Sequence, residues 1–97
     1  MKNTIPTPTV GEILKEEFML PLDITAYRLA KDIGVPTSRV IEILHGKRKI
    51  TADTSLRLAK YFGLSDKYFL NLQNDIDIRL LKETQQEEFD RIIPFSA

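Results

Sequence analysis

Apolar residues recur at helical intervals along most of the chain, and the breaks between them fall on residues that start or stop helices. Val10, Ile13, Leu14 and Phe18 are spaced as one face of a helix. Thr9 and Glu12 make a capping-box pair ahead of them and Pro21 stops the run, which predicts helix one over about 10–19. Thr25 is the next cap, with Ile24 and Leu29 placed to close a hydrophobic staple, and Gly34 ends a second helix over about 26–33. Pro36 suits the first turn of a third helix, whose inward positions are Val40, Ile43 and Leu44 and which ends at Gly46. Thr51, with Asp53 in the positive first turn, opens a fourth helix carrying Leu56, Leu58, Ala59 and Phe62 on its apolar side, and Gly63 closes it. Ser65 and Asp66 open a fifth, unbroken to about Thr84, and a short helix is expected around 87–93. With no credible strand, the pattern is all-α: a flexible lead over 1–9, one domain over 10–84, and a tail over 85–97.

Helices two and three carry the information about function. Two short helices crossing steeply need a small residue at their approach, a glycine at the bend and branched apolar residues on the second helix. Ala30, Gly34, Val40 and Ile43 stand at those places, which predicts a helix-turn-helix between about Thr25 and Gly46. With Val40, Ile43 and Leu44 turned inward, the opposite face of helix three presents Thr37, Ser38, Ile41 and Glu42. These supply hydroxyls, an apolar group suited to a thymine methyl, and a carboxylate able to accept from cytosine, so they are the candidate base readers. Tyr27, Arg39, His45, Lys47, Arg48 and Lys49 are the candidate phosphate contacts around them. A plain helical hairpin with a solvated face is the bland alternative, and it leaves the basic loop after helix three unexplained.

Charge at first argues against an anionic partner, because the 97 residues sum to zero net charge. The distribution reverses this. Residues 36–60 hold six basic against two acidic residues, whereas 61–97 hold four basic against seven acidic. A basic middle joined to an acidic end suggests one face for a nucleic acid and another for a different partner. There is no cysteine and no metal-ligand spacing, so no metal and no cofactor are expected. The single histidine, His45, ends the third helix, and carboxylate pairs such as Asp75 with Asp77 do not share a helical face; no enzyme activity is expected. Apolar runs are far too short for a membrane span, and the chain reads as cytoplasmic.

Helix five is apolar on more than one side. Phe69, Leu72, Ile76 and Leu80 make one stripe for the domain's own core, and Leu70, Ile78 and Leu81 fall outside it. The second face is assigned to a homodimer, the usual way this motif reads paired half-sites. The competing account has tail residues Phe89, Ile92 and Phe95 folding back over it.

Over roughly residues 10–70 the sequence resembles the lambda-repressor-like (XRE) helix-turn-helix family, and more narrowly HigA-type antitoxins. The resemblance rests on Thr7-Pro8 to Gly11-Glu12-Ile13-Leu14, on Leu44-His45-Gly46-Lys47 after the helix-turn-helix, on the stretch Ile50 to Leu58, and on Phe69-Leu70-Asn71-Leu72-Gln73-Asn74. Many such proteins have a Trp where Tyr68-Phe69-Leu70 stands; this chain has none. The resemblance implies a two-job protein that neutralises a HigB-like messenger-RNA endonuclease and represses its own operon at an inverted repeat of double-stranded DNA. A stand-alone regulator without a toxin partner needs the same reading face and stays open at this point.

Overall fold

The computed structural model describes residues 7–96, so residues 1–6 of the expected flexible lead lie outside the described part. Among the described residues there are helices and turns and no strand: α1 (Val10–Ile13), which continues as a π-helical turn (Leu14–Met19), then α2 (Ala26–Ile33), α3 (Thr37–Leu44), α4 (Ala52–Phe62) and α5 (Tyr68–Asp90). The all-α, five-helix class follows, and three caps are as the sequence predicts. Thr9, Thr25 and Thr51 each accept, on the side-chain oxygen, the N–H three residues on.

The second half of the first helix is wider than expected. The Leu20 N–H reaches back five residues, to the Lys15 carbonyl at 2.9 Å. In a regular α-helix, residues five apart point in very different directions; widening the turn brings them back toward one face. Leu14 and Met19 are both buried as a result. Phe18, on the same turn, packs its ring against Phe62 and Phe69 at centroid distances of 5.1 and 5.3 Å, joining this helix to α4 and α5.

The core gathers Leu14, Leu29, Ile33, Val40, Ile43, Ile50, Leu58 and Phe69 from every helix and from the loop before α4. Gly11 lets α1 lie directly on α3: a Cβ built there would stand 2.2 Å from the Ile43 carbonyl oxygen. Ser55 is fully buried and donates to the Asp66 carbonyl, holding the α4–α5 turn.

Several inward assignments are corrected. Leu56 is 48% exposed, because α4 turns Thr54, Ser55, Leu58 and Ala59 to the core instead. On α5 the buried set is Phe69, Gln73 and Ile76, with Leu72 half-buried. Leu80 is 40% exposed, on the rim of an open cleft that it lines with Thr9 and Val10. The radius of gyration, 16.4 Å, exceeds the roughly 13 Å of a compact domain this size, and the longest dimension is 50 Å. Leu70 is also corrected: the first turn of α5 is enclosed over a wide arc, and Leu70 packs half-buried against the chain's own core. Gln85 departs from helical geometry, after which the helix resumes and ends at Asp90 rather than near 93. Pro94 disfavours helical geometry at Ile93, in keeping with the earlier end.

Candidate nucleic-acid interface

The two helices of the motif are set by the turn between them. Gly34 caps α2 in left-handed geometry, φ 76°, which a residue with a Cβ adopts only under strain. The Arg57 guanidinium closes over this turn from α4. It donates to the Ile33 carbonyl at 2.7 Å and lies 2.9 Å from Asp53 Oδ2, placing a cation where the α2 dipole ends negative. Sequence reasoning missed Arg57; its one legible signal is the i, i+4 spacing from Asp53. A second brace stands nearby, where Asp32 accepts from the Tyr61 hydroxyl at 2.6 Å and from Arg28 at 2.8 Å. The Tyr61 hydrogen bond, then the Arg28 contact, hold the Asp32 carboxyl below its ordinary value, and the same bond raises the Tyr61 hydroxyl.

With Val40 and Ile43 buried, α3 turns Ser38 and Ile41 to solvent and leaves Thr37 and Glu42 half-exposed. The four candidate base readers therefore share an uncovered surface. Tyr27 and His45 are exposed as well, as is the loop Lys47-Arg48-Lys49.

The structure gives most of these cations internal partners that the sequence did not indicate. Arg48 Nε donates to Glu42 Oε1 at 2.9 Å, so a candidate phosphate contact is tied to a candidate base reader. Arg39 leans toward Asp53 at 3.7 Å. Lys49 pairs with Asp77 on α5 at 2.6 Å. Among the described residues, Lys47 alone of the three loop cations has no ion-pair partner. A cleft of about 200 Å³, lined in part by Val10, Lys49, Ile76 and Asp77, lies where this loop, the start of α1 and α5 meet.

The loop is also held from inside. The Gln73 side chain, buried on α5, accepts from the Ile50 N–H at 2.6 Å and donates to the Ile50 carbonyl at 2.9 Å. The sequence marked this segment only as a resemblance; the structure gives Gln73 a physical task.

The outer part of α5 leaves Ile78 52% and Leu81 43% exposed, beside Phe89 in a shallow groove. Of the three tail residues expected to cover this face, Phe89 lines the groove, whereas Ile92 and Phe95 are 69% and 93% exposed and leave it open. Among the described residues no group of His, Cys, Asp and Glu is placed to hold a metal ion, and no helix is long and apolar enough to cross a membrane.

Comparison with known proteins places this geometry. Residues 14–69 match the helix-turn-helix family. The chain is 42% identical over 96 residues to virulence-associated protein I of Dichelobacter nodosus, covering 99% of this chain and 88% of that protein. It superposes with a TM-score of 0.82 and 42% identity on an addiction-module antidote protein of the HigA family from Coxiella burnetii, over 94% of this chain and all of that one. Antitoxin HigA of Pseudomonas aeruginosa, solved with the higBA promoter, superposes with a TM-score of 0.84 at 29% identity, again over 94% of this chain and all of that one. The family match spans more than half of the sequence and the relatives cover nearly all of it, and on that ground the chain belongs to the helix-turn-helix family, in its HigA-type XRE branch.

Proposed function

We propose that the protein is an antitoxin and sequence-specific repressor that binds an inverted repeat in double-stranded DNA as a homodimer, and that it neutralises a HigB-like messenger-RNA endonuclease encoded with it. The observation that carries the DNA reading is the uncovered face of α3, with Thr37, Ser38, Ile41 and Glu42 standing beside the Lys47–Lys49 loop on a braced helix-turn-helix. Thr37, Ser38 and Ile41 meet base edges. Glu42 does so while sharing its carboxylate with Arg48, which orients both groups. Tyr27, Arg39, His45, Lys47, Arg48 and Lys49 meet phosphates; Arg39 and Lys49 exchange a carboxylate for a phosphate as the duplex seats, and Arg48 adds a phosphate while keeping Glu42. That a HigA relative was solved with promoter DNA supports the same reading for this chain. The apolar groove at Ile78, Leu81 and Phe89 supports the dimer, because the chain itself leaves it open.

Binding-site selection tests the base readers. Thr37→Ala and Ile41→Ala should each alter preference at particular base pairs, with about 1–3 kcal/mol at stake for a good contact. An unchanged consensus from both would remove α3 as the reading helix. Toxin neutralisation is tested separately, by co-expressing the chain with a HigB-like nuclease and following co-purification and messenger-RNA cleavage. A nuclease that cleaves undiminished and does not co-purify leaves only the repressor role.

A further inference from the structure

We infer that Gln73 is a positioning residue of the DNA interface: from inside the domain it fixes the backbone at Ile50 and so sets where Lys47 and Lys49 stand relative to α3. The inference rests on the DNA reading above and deepens it.

Ile50 is anchored twice. Its side chain is buried in the core, which holds the end of the loop in place, but burial of apolar surface is not directional. Direction comes from Gln73, whose amide closes both the N–H and the carbonyl of Ile50 at 2.6 and 2.9 Å, as a neighbouring strand would. The amides of Gly46 and Lys47 bond back to Ile43 and Glu42 at the end of α3. From Arg48 to Ile50, the backbone hydrogen bonds among the described residues are the two to Gln73. The loop backbone that carries the cations is thus set at one end by α3 and at the other by one side chain on another helix, 23 residues away in sequence. One turn further along α5, Asp77 holds the Lys49 ammonium, so the same face of that helix meets the loop at two levels. Both polar atoms of the Gln73 amide are engaged with Ile50, and no side-chain polar atom among the described buried residues lacks a partner.

A merely stabilising glutamine and a positioning one differ in what DNA reports. Gln73→Met keeps the volume and removes both hydrogen bonds. Studied well below its melting temperature, the full-length variant should bind an operator duplex on the order of tenfold more weakly, with the slope of log affinity against log salt flatter by roughly 0.9 for each phosphate no longer held. Lys47→Ala and Lys49→Ala should also cost less in the Gln73→Met background than in the wild type, because residues that act together are not additive. If Gln73→Met is too unstable to measure, Gln73→Glu keeps the acceptor for the Ile50 N–H and carries the same cycle. A folded variant whose salt slope is unchanged and whose lysine effects simply add would overturn the positioning role while leaving the DNA reading intact. Lysine substitutions without effect in the wild type would instead remove the phosphate assignment itself, and this inference with it.

Discussion

Lys49 Nζ stands 2.6 Å from Asp77 Oδ2, so a cation of the candidate DNA surface is held by a carboxylate of the helix behind it. The Lys49 side chain is 74% exposed, and an exposed pair of this kind contributes at most about 1 kcal/mol. That is enough to matter for a phosphate contact, which must displace Asp77 first. Asp77→Asn should therefore tighten binding to operator and random duplexes alike, by about two- to fivefold. Fluorescence anisotropy titrations of both duplexes check this, and the gain should vanish when Lys49→Ala is added. Weaker binding by Asp77→Asn would mean that the carboxylate orients Lys49 rather than competing for it.

Gly11 sits inside α1, where alanine would ordinarily favour the helix by about 1 kcal/mol. Here the added methyl would lie 2.2 Å from the Ile43 carbonyl oxygen and 2.9 Å from Leu44 Cα, both backbone atoms of α3 that cannot rotate away. Gly11→Ala should thus destabilise the domain by about 1–3 kcal/mol in urea denaturation. The strain falls on α3, so operator affinity should drop as well. A variant as stable as the wild type would mean that α1 shifts without resistance.

The apolar groove on α5 makes a prediction about assembly. Leu81→Asp places a charge in the face assigned to the partner subunit, and should shift sedimentation equilibrium toward monomer while leaving helical content nearly unchanged. Operator affinity should fall with it, because a monomer holds only one half-site. A wild-type protein that sediments as a monomer well above the concentration needed for operator binding would exclude a preformed dimer.

Protonation tests the brace between α2 and α4. The Tyr61 hydroxyl and Arg28 keep the Asp32 carboxyl below its ordinary value, so its contribution to stability is fully present above about pH 4 and is lost as pH falls through the lower, folded-state value. Tyr61 is raised, so its share is present below about pH 10 and is lost as pH rises through the raised value. Tyr61→Phe removes the larger influence on Asp32. In a carbon-13 carboxyl titration followed by NMR, Asp32 should then titrate nearer its ordinary value; no movement would assign the shift to Arg28.

The capped boundaries of α1, α2 and α4 were legible because their causes are local, whereas α5 opens at Tyr68 without a side-chain cap rather than at Ser65 and Asp66. A threonine cap at 9, 25 or 51 and a glycine at 34 or 63 act on residues three or four positions away, so the chain carries that information within one turn. The same holds for α3: once Val40 and Ile43 face inward, the 3.6-residue repeat alone turns Ser38 and Ile41 outward. What the sequence could not show was which partners distant residues would find. Leu70, Leu56 and Leu80 have identical side chains, and their burial depends on how far neighbouring helices reach around α4 and α5, which no local pattern encodes. The charges of the loop were readable as a count, but their pairing with Glu42 and Asp77 depends on a loop and a helix meeting in space. Gln73 on a surface helix would be an ordinary polar residue; it holds Ile50 only because packing buries both and excludes the water that would otherwise take its place.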